Sequence, residues 1–353
     1  MANFGPQDIK KLREMTDAGM MDCKKALTEA DGNMDKAVEW LRDQGIGAAA
    51  KKAGKVAAEG AIGVKVEGHK AVIVEINSQT DFVAQNEKFK TVMREVVEHA
   101  FVHEMADAEA INASTIKGQP FSEYLSLQIA TIGENLVVRR SAFIQGDETT
   151  AVNGYVHANN QVGVIISAKC DSSKTAEAMT PVLKDVAMHA AAMRPKTLSY
   201  KDFDPTYVAE ETQGRIVAIE KENEELVRLG KPLKNIPQYI SMAQLTEEIM
   251  AEAEAMLKEE LRAEGKPEQI WDRILPGKLA RFISDNTTLD QEQCLLDQKF
   301  VMDDSKTVAE YIQDKAKAAG GTAQIVTFVR LEVGEGIVVE QEDFAAEVAK
   351  QMA

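Results

Sequence analysis

The same order of elements, two strands, then helices, then a further strand, occurs twice in the chain. This internal repeat is the sequence feature that most limits the possible folds. In the first copy, two apolar runs flank Gly68 and His69 as the strands of a hairpin do. The elements of this copy are expected at 61–67, 70–76, 89–105, 122–132 and 136–144. The second copy turns at Asn159-Asn160, and its elements are expected at 155–158, 162–167, 175–193, 306–318 and 324–333. We therefore predict an α+β fold with two related core lobes that contain antiparallel sheets.

A long insertion interrupts the second copy. A helix is expected at 205–230 behind the cap residue Asp204, and another at 241–265, where Ser241 and Gln244 form a capping-box pattern. Two helices joined by a short connection form an antiparallel pair. The insertion is therefore predicted to be a helical hairpin, or coiled-coil, arm.

The N-terminal part, from about 6 to 44, has the pattern of three short helices. A bundle of this size resembles a ubiquitin-associated-type domain, which is an analogy of fold only. The next segment, 45–55, is rich in small and basic residues and is expected to be a linker. It also matches the dinucleotide-binding pattern GxGxxA, but that pattern requires a preceding strand, and 38–42 reads as helix.

No motif for holding a nucleotide, metal or covalent intermediate stands out. The sequence lacks GxxxxGK[ST], HExxH and GxSxG. His99 and His103 lie four positions apart on an expected helix, which could suit a metal, but surface histidines are the simpler interpretation. We predict a protein that is not an enzyme and that has no cofactor and no metal site.

Charge and cysteine usage limit the class of partner. Acidic residues outnumber basic ones by 57 to 41, so the net charge of −16 disfavours direct binding to nucleic acid. The three cysteines are far apart and read as reduced thiols of a cytoplasmic protein. No apolar run reaches membrane-spanning length, so no membrane association is expected.

A short motif, Thr80-Asp81-Phe82-Val83, places an acid and an aromatic residue after the strand 71–76. In one interpretation Asp81 caps the following helix and Phe82 staples that helix to the core. In the other, the pair is presented to a partner from a short connection between rigid elements.

Five segments of the chain closely resemble the bacterial elongation factor Ts family, and they occur in the family's order. They read LREMTDAGMMDCKKAL at 12–27, TDFV at 80–83, IGEN at 132–135, AMH at 187–189 and FVRLEVGEG at 328–336. The resemblance implies a guanine nucleotide exchange factor that binds elongation factor Tu and accelerates release of its GDP. It also implies that the helical arm serves self-association, as in some members, although the arm looks longer in this chain.

The resemblance implies a set of partner-binding residues. Asp81 and Phe82 would enter the nucleotide-binding domain of elongation factor Tu near its magnesium site, and a C-terminal helix at 343–352 would pack on the same domain. The remaining contacts would come from Arg13, Met20, Met21, Thr80, Val83, Ile132, Gly133, Glu134, Asn135 and His157. For one of the two methionines, packing inside the small bundle is an equally good interpretation.

These expectations divide the chain into five parts. They are 1–55 for the helical domain and linker, 56–150 for the first lobe, 151–200 with 301–335 for the second, 201–300 for the arm and 336–353 for a C-terminal helical module. Two other classes of protein remain open: an adaptor that binds peptides or ubiquitin-like proteins through the bundle, and a nicotinamide enzyme built on Gly45-Ile46-Gly47.

Overall fold

The computed structural model describes residues 3–16 and 18–338, so the helix expected at 343–352 lies outside the described residues. The fold is α+β, as predicted. The described residues form two compact units, the first within Met1–Ala191 and Thr327–Ala353 and the second Ala192–Val326.

The helices and strands are numbered in chain order. The helices are Pro6–Thr16 (α1), Met20–Glu29 (α2), Met34–Lys52 (α3), Asp81–Ala84 (α4), Glu87–Val102 (α5), Ala108–Asn112 (α6), Phe121–Ile132 (α7), Ser173–Met193 (α8), Pro205–Arg228 (α9), Glu247–Ala263 (α10), Trp271–Asp285 (α11), Thr288–Gln293 (α12) and Val308–Ala318 (α13). The strands are Glu59–Glu67 (β1), Lys70–Ser78 (β2), Thr115–Ile116 (β3), Gln119–Pro120 (β4), Val137–Gln145 (β5), Thr150–Val156 (β6), Val162–Cys170 (β7), Lys299–Phe300 (β8), Asp303–Thr307 (β9) and Ala323–Glu332 (β10).

The N-terminal bundle has the three predicted helices, packed around Leu12, Cys23 and Leu27. The expected linker at 45–55 is wrong, because α3 continues to Lys52. A Cβ added at Gly45 would lie 2.9 Å from Leu127 Cδ2 on α7. The small residues of this segment therefore allow two helices to pack closely, and the GxGxxA pattern lies within a helix.

The first sheet has the order β1-β2-β5, with antiparallel neighbours. Alternate residues of β2 point to opposite faces. Val72, Val74 and Ile76 pack against the cluster that contains α5 and α7, whereas Ala71 and Ile73 belong to a second apolar cluster on the other face. Because both faces are covered, β2 is buried along nearly its whole length.

The second sheet has the order β10-β7-β6, in which β6 and β7 are antiparallel. Its residues Val152, Ile165 and Leu331 belong to the same cluster as Ile73 of the first sheet, so the two sheets pack face to face. Asn153 donates a hydrogen bond of 2.7 Å to the carbonyl of Thr180, which places α8 beside β6.

A buried carboxylate joins the first sheet to the chain after β10. Glu75 on β2 has no exposed surface and pairs with both Arg139 and Arg140 of β5. It also accepts a hydrogen bond of 2.9 Å from the Gly334 backbone. Arg140 donates in turn to the Glu332 carbonyl, at 2.6 Å.

Backbone hydrogen bonds join two segments of the second unit, one near its start at 196–197 and one at 293–295. The Lys196 and Thr197 amides donate to the Gln293 carbonyl, at 2.8 and 3.1 Å, and the Leu295 amide donates to the Thr197 carbonyl at 2.9 Å. Between these ends, α9 packs on a small core of Val208, Ile240 and Leu289.

The helices of the insertion pair differently from the prediction. The capping box of Ser241 and Gln244 begins a short 3₁₀ turn, and α10 begins after Thr246 instead. The chain after α9 returns in extended form, because Asn223 bonds the Lys234 amide and carbonyl, at 2.7 and 2.9 Å. The predicted hairpin of 205–230 with 241–265 is therefore wrong.

The antiparallel pair is formed by α10 and α11 instead. Lys278 of α11 binds Glu260 of α10 and Glu264, the residue that follows α10, at 3.3 and 2.9 Å. Trp271, at the start of α11, is buried and donates a 2.9 Å hydrogen bond to the Lys266 carbonyl. This third helix was missed because its Pro276 and Gly277 resemble a break in a helix.

Replacing the buried carboxylate in Glu75→Ala should lower the free energy of unfolding by about 3 kcal/mol, because it leaves Arg139 without its carboxylate partner and Arg140 with only the exposed Glu335. Urea denaturation followed by circular dichroism measures this loss. The control is Glu98→Ala, which removes an exposed pair with Lys65 and should cost at most about 1 kcal/mol. Equal losses for the two variants would contradict a structural role for Glu75.

Candidate functional site

The Asp81-Phe82 pair lies in a four-residue helical turn, α4, between the buried strand β2 and α5. Phe82 is 83% exposed, so it staples nothing to the core. Asp81 does not cap α5 either, since Asn86 is the capping residue and accepts a 2.8 Å hydrogen bond from the Lys88 amide. The cap-and-staple interpretation is therefore wrong, and the turn presents Phe82 to the solvent.

The turn is anchored by residues on both sides of Phe82. Val83 packs partly against the core cluster of the first sheet, and Ala84 is buried. On the other side, the Ser78 hydroxyl donates to the Thr80 carbonyl at 3.0 Å. An exposed aromatic residue on a fixed backbone suits recognition of another surface.

The segment 132–135 lies against this turn. One Glu134 oxygen accepts from the Thr80 hydroxyl at 2.7 Å, and the other accepts from the amides of Gln79 and Thr80, at 3.1 and 3.0 Å. Ile132 packs against the core cluster that Val83 also contacts. The structure thus brings together the two motifs that the sequence analysis had singled out separately.

The same segment is tied to the end of α3. Gly133 follows α7 with a φ of 94°, a left-handed conformation that favours glycine. Its carbonyl accepts from the Lys52 ammonium. The buried Asn135 side chain donates to the Lys55 carbonyl at 2.9 Å.

The candidate residues of the bundle are all on its surface. Arg13 is exposed, as are Met20 and Met21, at 59% and 73%. Both methionines precede Cys23, the first buried residue of α2. The interpretation that one of them packs inside the bundle is therefore wrong.

His157 lies in the loop between β6 and β7 and is exposed. Its Nδ1 lies 3.0 Å from the Tyr155 hydroxyl. Gln161 anchors this loop by donating to the Gly60 carbonyl and accepting from the Val333 amide, both at 2.9 Å. Among the described residues, neither His157 nor Arg13 makes a hydrogen bond to the turn that carries Phe82.

Sequence reasoning missed several residues that hold this site. Lys52 and Lys55 lay in the expected linker, and Gln79 lay between the expected strand at 71–76 and the motif at 80–83. Asn86, three residues before Phe89, carries a capping signal that could have been recognised.

The histidine pair has a structural explanation. His99 is half-buried, and its Nε2 lies 2.8 Å from the Ser114 hydroxyl. Burial, with a smaller effect of nearby His103, lowers its pKa. Over residues 3–16 and 18–338, no group of three or more histidine, cysteine or acidic side chains is arranged to hold a metal ion.

The cysteines are also structural. Cys23, Cys170 and Cys294 are buried and form no disulfide, and burial raises the pKa of each thiol, that of Cys294 to about 12.

None of the helices in the described part of the chain combines the length and the apolar character needed to cross a membrane.

Comparison with known proteins identifies relatives over the whole length. The family model "Elongation factor TS" matches residues 79–236 and 234–335. An elongation factor Ts of Sulfurovum sp. (strain NBC37-1) is 82% identical over 353 residues, which is 100% of both chains. Elongation factors Ts of Campylobacter curvus and Helicobacter hepaticus are 52% and 49% identical, over 98% and 100% of this chain and of their own lengths.

Because the Phe82 side chain is exposed, Phe82→Ala should change the free energy of unfolding by less than about 0.5 kcal/mol. The comparison variant is Phe89→Ala, whose ring is 1% exposed and whose loss should cost about 3–5 kcal/mol. Urea denaturation of both proteins gives the two values. A large loss of unfolding free energy for Phe82→Ala would show that this side chain packs against the core, and would contradict its assignment to the surface.

Proposed function

The chain belongs to the elongation factor Ts family and is thus a translation elongation factor, and from this premise we propose that it is a guanine nucleotide exchange factor. It binds elongation factor Tu carrying GDP and promotes release of the GDP, so that GTP can bind in its place. Asp81 and Phe82 enter the partner near its magnesium site. The observation that carries the proposal is the exposed Phe82 on an anchored turn.

The activity requires no covalent chemistry of this chain. A protein that binds the nucleotide-free partner more tightly than the GDP-bound partner must weaken GDP binding by the same factor. The exchange factor therefore acts through differential binding alone. Its place of action is the cytoplasm, and it needs neither a cofactor nor nucleic acid.

The magnitude of the effect shows that Phe82 cannot act alone. Accelerating release ~10³-fold requires about 4 kcal/mol. Burying one phenylalanine side chain contributes about 1.5–3 kcal/mol, and part of this is lost in opening the partner's pocket. Phe82 therefore begins the displacement near the magnesium ion, and other contacts supply the rest.

Those other contacts come from the remaining candidate surface. Arg13, Met20 and Met21 bind from the bundle, and methionine side chains adapt to uneven surfaces. The segment 132–135, His157 and the C-terminal helix add contacts from the rest of the chain. Self-association through the arm is retained as a prediction, now with α10 and α11 as the paired helices.

An adaptor that works through the bundle is the remaining rival. Deleting residues 1–55 is a poor discriminator, because α3 packs on α7 and Ala49 belongs to the core cluster of the first sheet. Surface substitutions separate the two functions without disturbing the fold. Only an exchange factor depends on Phe82, which lies outside the bundle.

Phe82→Ala should slow stimulated GDP release about tenfold at saturating protein, because it removes the group that opens the partner's site. The measurement follows a fluorescent GDP analogue leaving elongation factor Tu. The matched control is Val102→Ala, which also removes an exposed apolar side chain and should leave the rate unchanged. An unaltered rate for Phe82→Ala would remove this residue from the mechanism.

Replacing both Met20 and Met21 by alanine should raise the concentration needed for half-maximal release about tenfold, since about 1.4 kcal/mol of binding is lost. The maximal rate should change less, because the opening step depends on Phe82. Met256→Ala, at an exposed position on α10, serves as the control. A lowered maximal rate with unchanged half-saturation would contradict a binding role.

A further inference from the structure

We propose that Glu134 is a positioning residue that holds the turn carrying Phe82, and that it acts through this turn instead of by touching the partner. The inference rests on the proposed exchange function and assigns one side chain a different task within it. It follows from the geometry of the carboxylate, which is directed at this chain's own backbone.

The Glu134 carboxylate is occupied by donors from one short segment. It accepts three hydrogen bonds, from the Gln79 amide, the Thr80 amide and the Thr80 hydroxyl. Hydrogen bonds to an ionised acceptor are roughly twice as strong as those between neutral groups. Thr80 directly precedes α4, the position from which a side chain usually caps a helix. Its hydroxyl makes no such capping bond, because it donates to Glu134 instead. Glu134 therefore holds the backbone before α4 through three hydrogen bonds, beside the single bond from the Ser78 hydroxyl to the Thr80 carbonyl.

Glu134 is itself held in place from both sides. The preceding residue, Gly133, accepts from the Lys52 ammonium, and the following residue, Asn135, is buried and bonded to the Lys55 carbonyl. Lys52 is the last residue of α3, the third helix of the N-terminal bundle. The segment 133–135 thus fixes the Phe82 turn relative to α3 and so links the two surfaces assigned to the partner.

An anchored turn reduces the entropic cost of binding. A flexible turn with an exposed aromatic residue would lose conformational freedom when it enters the partner, and this loss subtracts from the binding energy. In this chain the turn is already held by hydrogen bonds within the free protein. Removing Glu134 therefore weakens the action of Phe82 although Phe82 itself is unchanged.

The first test uses the free protein. In Glu134→Ala, the amides of Gln79 and Thr80 lose their acceptor and should exchange with solvent deuterium about tenfold faster, while amides within β2 keep their protection. Glu98→Ala, which removes a carboxylate elsewhere in the same unit, should leave all these amides unchanged. Unchanged protection of Gln79 and Thr80 in Glu134→Ala would overturn the proposal.

The second test uses stimulated GDP release. Glu134→Ala should slow release about tenfold, whereas Glu134→Gln, which keeps one oxygen acceptor within reach, should slow it only about threefold. In a Phe82→Ala background, Glu134→Ala should cause no further loss, because residues that act as a unit are not additive. A full tenfold loss in that background would show direct contact with the partner and would overturn the positioning role.

The two tests also separate this inference from the proposed function. If the wild-type protein does not accelerate GDP release, the proposed function is wrong and the role of Glu134 in exchange is wrong with it. If the wild-type protein accelerates release but Glu134→Ala keeps its amide protection, the positioning role alone is wrong.

Discussion

The buried carboxylate of Glu75 is the interaction on which the first unit of this protein most depends. It has no exposed surface, and its partners come from β2, from β5 and from the chain after β10. A buried charge is tolerated only when its attraction and hydrogen bonds offset the loss of water. Glu75 therefore requires these three segments to meet, and their meeting fixes how the chain after the second sheet returns to the first.

The same strand also positions the candidate site. β2 is buried on both faces as far as Ser78, and two residues later the chain forms the exposed turn with Asp81 and Phe82. A rigid strand on one side and α5 on the other leave this turn little freedom. A second carboxylate, that of Glu134, completes the restraint. One carboxylate thus holds the core together and another holds the surface that the proposed function uses.

Sequence reasoning succeeded where local signals were strong. The hairpin turn and the apolar runs beside it predicted the first two strands of the first sheet to within a few residues, because these signals act between neighbours. It failed at α3, where small residues suggested a linker but serve the contact between Gly45 and Leu127. It failed again in the insertion, where a side chain, Asn223, turns the chain back and leaves α10 to pair with α11.

By itself, the sequence determined the α+β class, the family and the motif that contains Asp81 and Phe82, since each depends on residue order and local pattern. Only the tertiary structure decided that Phe82 is exposed, that both Met20 and Met21 lie on the surface, and that Glu134 binds the backbone of Gln79 and Thr80. These facts depend on contacts between residues far apart in the chain. Residue 134 meets residue 80 only because α7 and β2 pack on one core.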